Sequence, residues 1–420
     1  MDSMTARPPS RPLSVALAGL VALGVAMGIG RFAFTPLLPM MLAERSLDLT
    51  GASLLASSNY LGYLLGAVLC TFQPWIWRTF GWTRTVNGPA LVRAGLVATA
   101  LLTLGMALHE PAAWVLLRFA AGVASAVVFL YTSGFCLEQL GRRGVPGMGA
   151  LIFVGPGLGI VASGFAASAL VQMRSPAAMG WLTFGLLSAV LAACVWRIFD
   201  SRRAVPAPTA AAGRQAGEQV PMPAAAGAGE MGMLAVAYGL AGIGYIITAT
   251  FLPVIARQAL PGSQWLDLFW PLLGCGVMVG AIGASRLHPG GDLRIRLAVC
   301  YLLQAMGVVA GVVSPTLAGF AAGSLLLGLP FTAITFFAMQ EARRVRPLHA
   351  TSFMGLLTVA YGLGQIAGPP LAAWLVSRSS SAAEGFNTSL WIAASMLLLG
   401  AVLYVLIARR HPLPAGHGRP

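Results

Sequence analysis

Two arginines interrupt apolar sequence where a charge is expensive. Arg31 lies in GIGRFAFTPLLP (28–39) and Arg118 in WVLLRFAAG (114–122). A guanidinium is planar, stays charged, and offers N–H groups in pairs that match the two oxygens of a carboxylate or phosphate. Neither run contains an Asp or Glu to neutralise it. The chemistry open to the pair is therefore capture of an anion. The alternative is to hold backbone carbonyls at a broken helix, and Gly28, Gly30 and Pro36 around Arg31 mark such a place.

Other chemistry is sparse. Cys70, Cys136, Cys194, Cys275 and Cys300 stand singly in apolar runs, without the pairing of a disulfide framework or thiolate metal site. His109, His288, His349, His411 and His417 fall at the borders of apolar runs or outside them, with no metal-ligand spacing. No nucleophile stands beside a base within a run, so catalysis, metal and cofactor are not expected. Glu110, Glu138, Asp267, Glu341 and Glu384 lie at run ends or in loops. A proton-coupled cycle would have to use one of these border carboxylates or let the cargo carry the proton.

The elements that must position the arginines follow from composition. Of 420 residues 57% are hydrophobic and only 9% charged, and the mean hydropathy is +0.80. Soluble domains carry about 25% charged residues, so a soluble enzyme is excluded, as is a nucleic-acid binder despite the net charge of +14. Runs long enough to cross a bilayer fall near 13–41, 51–72, 87–108, 112–136, 147–171, 177–198, 232–256, 266–285, 295–313, 316–339, 351–376 and 389–408. The chain reads as an all-α membrane protein of twelve transmembrane helices. All 26 basic residues are Arg. Nineteen of them lie in the termini and the loops after even-numbered spans, against four (Arg45, Arg174, Arg257, Arg378) in the opposite loops. The positive-inside bias predicts that both termini are cytoplasmic.

Residues 200–230, rich in Ala, Pro and Gly, read as a flexible cytoplasmic linker. It divides an N-terminal six-helix half (13–199) from a C-terminal one (231–408), with tails at 1–12 and 409–420. The halves are alike. GIGRFAFTPLLP in the first span matches GIGYIITATFLP (242–253) in the seventh. FAAG recurs at 119–122 and 320–323, and GLG at 157–159 and 362–364. Three matches in register predict a pseudo-symmetric parallel repeat about an axis normal to the membrane. In this register Tyr245 takes the place of Arg31, Thr248 that of Phe34, and Gly319 roughly that of Arg118. The buried charge is thus confined to one half.

These motifs resemble the major facilitator superfamily over essentially the whole chain. Ile29, Gly30, Pro36 and Pro39 fit its proline-bearing first-span signature, and Arg118 with Gly122 its fourth-span signature. Gly155, Pro156 and Gly159 fit part of its antiporter signature, echoed by Gly368-Pro369. GIGRFAFTPLLPMM and YGLAGIGYIITATFLPVIAR resemble the YbfB/YjiJ branch in particular. The loop WIWRTFGWTRTV keeps Gly81 and Arg84 but lacks the acid that the superfamily uses there as a latch. The resemblance implies the major facilitator fold, a central cavity lined by spans 1, 4, 7 and 10, and transport by alternating access.

On this reading the expected cavity liners are Arg31, Phe34, Thr35, Asn59, Tyr63, Arg118, Tyr131, Tyr245, Thr248, Thr332, Tyr361 and Gln365. Glu138 with Arg142, and Glu341 with Arg344, are spaced for one helical face and could form a gate or only a surface pair. Gly155, Pro156, Gly159, Gly368 and Pro369 are the expected bending elements, unless they serve fixed close packing. The expected function is secondary active transport of a small organic anion, since two buried cations have no buried acid beside them. The alternative is proton-coupled export of amphiphilic or drug-like compounds, favoured by the antiporter-like signature and by Phe32, Phe34, Phe129 and Tyr131. A small-molecule substrate, with or without a coupling proton, and the bilayer are the only partners expected of what reads as a monomer. Membrane enzyme, sensor and scaffold lack supporting features.

Overall fold

The computed structural model describes residues 11–81, 87–108, 110–200, 227–263, 265–287, 291–346 and 350–412. Arg84 of the second loop, residues 1–10, residues 201–226 of the linker, and His109, His288, His349 and His417 lie outside the described residues. Twelve helical elements follow in order. They are α1 (Pro12–Ala43), α2 (Leu49–Thr79), α3 (Gly88–Gly105), α4 (Pro111–Arg142), α5 (Pro146–Gln172) and α6 (Ala177–Val195). The second set is α7 (Ala228–Ala259), α8 (Leu266–Arg286), α9 (Leu293–Val313), α10 (Leu317–Val345), α11 (Ala350–Arg378) and α12 (Ala382–Arg410). No strand occurs among the described residues.

Eleven of these are long and apolar enough to cross a membrane. The remaining one, α11, is 29 residues long but carries Gln365, Tyr361 and the Pro369-Pro370 pair, which lower its hydropathy. Several boundaries differ from the sequence expectation: α2, α4 and α10 run on to Thr79, Arg142 and Val345, and two helices start early. Helix α7 begins at Ala228, inside the segment read as linker, and Glu230 is buried there because it meets Arg294. Helix α12 begins at Ala382, seven residues early, where Ser381 caps it by accepting from the Glu384 N–H.

The repeat is visible in the packing. Within the first half α1 packs on α5 and α2 on α4; within the second α7 packs on α11 and α8 on α10. Matched glycines permit it. A Cβ at Gly62 of α2 would collide with the Phe119 carbonyl of α4, and one at Gly280 of α8 with the Leu329 carbonyl of α10. In membranes such close backbone approach replaces hydrophobic drive as the glue between helices.

Three helices depart from regular geometry. In α1 the stretch Gly24–Arg31 is π-helical, with Phe32 and Ala33 a turn before the α-helix resumes at Phe34. In α5, Pro146–Val154 is a 3-10 stretch that becomes α-helical at Gly155, with Pro156 in the first turn. Helix α10 is interrupted at Leu329-Pro330. Helix α11, by contrast, runs unbroken through Pro369-Pro370.

The halves meet mainly through α2 with α11, α5 with α8, and the end of α1 with α7. Hydrogen bonds crossing between them include Thr35 Oγ1 to the Ala249 carbonyl (3.0 Å), Ser57 Oγ to the Ile366 carbonyl (2.9 Å), Tyr60 with Thr250 (3.0 Å), and Arg31 Nη2 to Gln365 Oε1 (2.7 Å). All lie at mid-depth or toward the face opposite the two chain termini. They tie the halves together on that side. Toward the termini face, an added Cβ at Gly134 and Gly141 of α4 and at Gly355 of α11 would meet nothing within 4 Å.

Candidate functional site

Arg31 ends the π-helical stretch of α1 and is 3% exposed. Its Nη2 donates across the halves to Gln365 Oε1 of α11 at 2.7 Å. Gln365 in turn donates through Nε2 to the Tyr245 hydroxyl of α7. The Arg31 guanidinium carbon stands 4.1 Å from the Tyr63 ring centroid and 5.2 Å from that of Tyr60, both of α2. Among the described residues no carboxylate pairs with it, and its buried Nε has no partner. It is a desolvated cation held by neutral oxygen and aromatic faces, an arrangement costing about 2.5–3.5 kcal/mol at mid-membrane on insertion scales.

Arg118 is differently engaged. Buried to 2% exposure, it donates through Nη1 to the Gly30 carbonyl (3.1 Å) and through Nη2 to the Arg31 carbonyl (2.9 Å). Those are carbonyls that the irregular end of α1 leaves without ordinary helical partners. Asn59 donates to the Arg118 carbonyl at 2.9 Å, and the Phe34 ring lies 5.4 Å from the Arg118 guanidinium carbon. The structure thus places Arg118, Asn59 and Phe34 together as a clamp on α1, the carbonyl-holding alternative open to each arginine in sequence. It brings only Arg31 to the aromatic space between the halves.

That space has a layered wall. Tyr361 of α11 stacks between Tyr238 and Tyr245, two turns apart on α7, at centroid distances of 4.7 and 5.8 Å. Phe331 of α10 meets Tyr245 edge-on at 5.1 Å and Phe32 at 6.0 Å. Tyr63, Tyr361, Phe331 and Thr332 are only half-buried although they stand in the interior, so part of their surface faces an opening between the halves. Beside them a small apolar cavity is lined by Phe32 and Ile160 of one half and by Tyr245, Trp270, Leu327 and Phe331 of the other. Thr248 and Thr332 carry buried hydroxyls without partners, while Thr35 is engaged with the Ala249 carbonyl.

Two candidates lie elsewhere. Tyr131 rests against the start of α3, where a Cβ at Gly88 would touch its ring at 3.4 Å, and Phe129 packs edge-on against Phe153 at 6.4 Å. Both are one or two turns beyond the face of α4 that meets α1. Tyr60, Tyr238, Phe331 and Trp270 join the site without having been singled out in sequence. Tyr238 lies exactly two heptad-like turns, seven residues, before Tyr245 on α7, and that spacing was the available signal.

The expected gate pairs form, but neither joins the halves. Glu138 and Arg142 pair on α4 at the surface. Glu341 pairs with Arg344 on α10, and is itself 2% exposed. It belongs to a buried cluster around the fully buried Arg294 of α9, which forks Asp292 (2.9 and 2.8 Å) and stands 3.7 Å from Glu341 and 3.6 Å from Glu230. His411 at the end of α12 stands 3.8 Å from Glu230. The cluster ties α7, α9, α10 and α12 of one half together at the termini face. Burial of Asp292 would raise its pKa, but the Arg294 hydrogen bonds outweigh this and hold the carboxyl below its ordinary value.

The expected bending residues occupy close contacts. A Cβ at Gly28 would collide with Gly159, and one at Gly155 with the Leu20 carbonyl, so both α5 glycines face α1. Gly155-Pro156 also marks the junction of 3-10 and α-helix. Gly368 faces Ile246 of α7, and Pro369 lies within the continuous α11.

A family model described as "Uncharacterised MFS-type transporter YbfB" matches residues 23–405. No curated protein matches the chain. Among solved structures, the nucleoside transporter NupG is similar at 15% identity with a TM-score of 0.64, over 94% of this chain and 98% of that one. A bacterial homologue of the human lysosomal transporter Spinster, in an inward-facing and occupied conformation, is similar at 13% identity with a TM-score of 0.61, over 95% and 96%. At such identities the likeness is one of fold.

Proposed function

The chain belongs to the YbfB-type MFS transporters, and from that premise we propose that it is a secondary carrier moving a small organic anion by alternating access. The observation that carries the anion reading is Arg31, a mid-membrane cation with no carboxylate partner and a free Nε, beside the opening between the halves. A buried cation unmatched by the protein is stabilised by a cargo of opposite charge. Arg118 is assigned to positioning: it holds the α1 carbonyls from which the Arg31 side chain projects. The arginine bias of the termini and even-numbered loops supports cytoplasmic termini, and the likeness to bacterial facilitators supports an inner membrane. The residues of this site all come from one chain, so the reading needs no second copy.

Export of amphiphilic compounds is the second reading, and the aromatic wall of Tyr238, Tyr361, Tyr245 and Phe331 is what favours it. Counterflow in proteoliposomes decides between them. Loading with organic anions should drive uptake of labelled anion in the wild type and at most a tenth of that in Arg31→Gln. Counterflow of cationic amphiphiles that is unchanged in Arg31→Gln would overturn the anion reading.

A further inference from the structure

The Nε and Nη2 groups of an arginine share one edge of the guanidinium and point the same way. Two arginines of this protein use that edge to grip a carboxylate. Arg294 donates through Nε to Asp292 Oδ1 at 2.9 Å and through Nη2 to Oδ2 at 2.8 Å. Arg344 does the same to Glu341 through Nε and Nη2. On Arg31 the same edge is half filled. Nη2 holds the single amide oxygen of Gln365 at 2.7 Å, and Nε is buried with no acceptor. A neutral oxygen occupies one of two positions that a carboxylate would fill together.

The surroundings restrict what can be attached to that carboxylate. Arg118, the neighbouring cation, is engaged by two carbonyls, which leaves one charge to be matched. The groups around the guanidinium are the faces of Tyr63, Tyr60 and Phe32, the last at 5.5 Å. The adjoining cavity has only apolar and aromatic walls. The unpartnered donors nearby, the Thr248 and Thr332 hydroxyls and the Trp270 indole N–H, are single groups that offer a second carboxylate no charged fork, whereas a flat apolar body would lie against rings.

Resting on the anion-carrier reading, we propose that the cargo is a monocarboxylate with an aromatic body, and that its carboxylate displaces the Gln365 amide from the Nε–Nη2 edge of Arg31. Gln365 is then a specificity-determining residue. Its amide holds the empty fork and also joins the halves, so cargo that takes its place releases one of the contacts that tie them together.

The test uses the purified full chain and thermal unfolding with benzoate, benzamide, terephthalate and acetate, since a ligand stabilises the state it binds. Benzoate raises the midpoint of the wild type, while its neutral amide, the dianion and the ring-free acid do not. In Gln365→Glu the introduced carboxylate fills the fork, and the benzoate concentration needed for the same shift rises at least tenfold. In Gln365→Leu the competitor is gone, and that concentration falls several-fold. A Gln365→Leu response identical to wild type would overturn displacement, whether or not Gln365→Glu folds. An Arg31-dependent shift with acetate or terephthalate equal to that with benzoate would overturn the aromatic monocarboxylate while leaving anion transport standing. A shift with benzamide equal to that with benzoate, kept in Arg31→Gln, would overturn both.

Discussion

Helices α1 and α7 begin from nearly the same sequence and end as different objects. Both carry Gly-Ile-Gly with a proline eleven residues after its first glycine. Helix α7 runs as continuous α-helix from Ala228 to Ala259 with Tyr245 inside it, while Gly319, the rough counterpart of Arg118 in sequence, stands against the Ser314 and Ala310 carbonyls at the end of α9. Helix α1 widens into a π-helix over Gly24–Arg31, and Arg118 holds the loosened carbonyls. The helix that carries Arg31 and meets Arg118 is irregular; the one with Tyr245 in that register is regular. The C-terminal half keeps its own buried cation, Arg294, at the termini face and surrounds it with Asp292, Glu230 and Glu341.

The first way to break this comparison is to remove the paired cation. Arg294→Met removes the cation shared by Asp292, Glu230 and Glu341, leaving Arg344 on Glu341 alone, and should cost about 3–5 kcal/mol, read as a large fall in the thermal midpoint or as loss of folded protein. Restoring the balance with Glu230→Gln in the same chain should recover part of that loss. Arg118→Met removes charge-assisted bonds to carbonyls rather than to acids and also relieves the desolvation of a buried charge, so it should cost less, about 1.5–3 kcal/mol in all. Hydrogen exchange confined to α1 should rise in this variant and stay at wild-type levels in α7. Equal increases in both helices would show that Arg118 does not act on the π-helical stretch.

The glycines test what the two helices still share. Gly28→Ala drives a methyl into Gly159 of α5, and Gly242→Ala drives one into the Tyr361 carbonyl of α11. Each should destabilise by about 1–3 kcal/mol, and to a similar extent, whereas Gly134→Ala, with open space around it, should be neutral or slightly stabilising. A large difference between the first two would mean that the α1 irregularity absorbs strain that α7 cannot.

The smallest expected effect depends on pH. The Asp292 carboxylate caps α9 by accepting from the Arg294 N–H and pairs with the Arg294 side chain. Its folded pKa is below the ordinary carboxylate value. The stability it adds is therefore present above that ordinary value and is lost as pH falls through the folded pKa. Asp292→Asn should be about 1 kcal/mol less stable than wild type at neutral pH. The gap should close as the medium is acidified below the usual carboxylate range, and a gap independent of pH would assign the loss to shape rather than charge.

Much of this was legible beforehand. Hydropathy located the helices, because membrane spans must be apolar. Arg31 and Arg118 stood out because charge inside a span is rare. Their different roles were not legible, since a π-helical stretch adds no mark to the hydropathy of GVAMGIGR and only three-dimensional contact shows which carbonyls lack partners. Arg294 and Glu230 were hidden for the opposite reason. Arg294 was one arginine among the many near the termini face, and Glu230 lay in what read as linker, so nothing in one dimension joined them to Glu341. Tyr131 misled because a tyrosine on α4 has the right depth but projects toward α3.

The central claim is that Arg31 serves the cargo and Arg118 serves the fold. Thermal unfolding of Arg31→Gln and Arg118→Gln beside wild type, with and without benzoate, tests it most directly. Removing an unpaired buried cation should leave the ligand-free Arg31→Gln as stable as wild type or more so, with the benzoate shift abolished. Arg118→Gln should unfold several degrees lower. An Arg31→Gln protein that is destabilised as much as Arg118→Gln, yet still responds fully to the anion, would contradict the account.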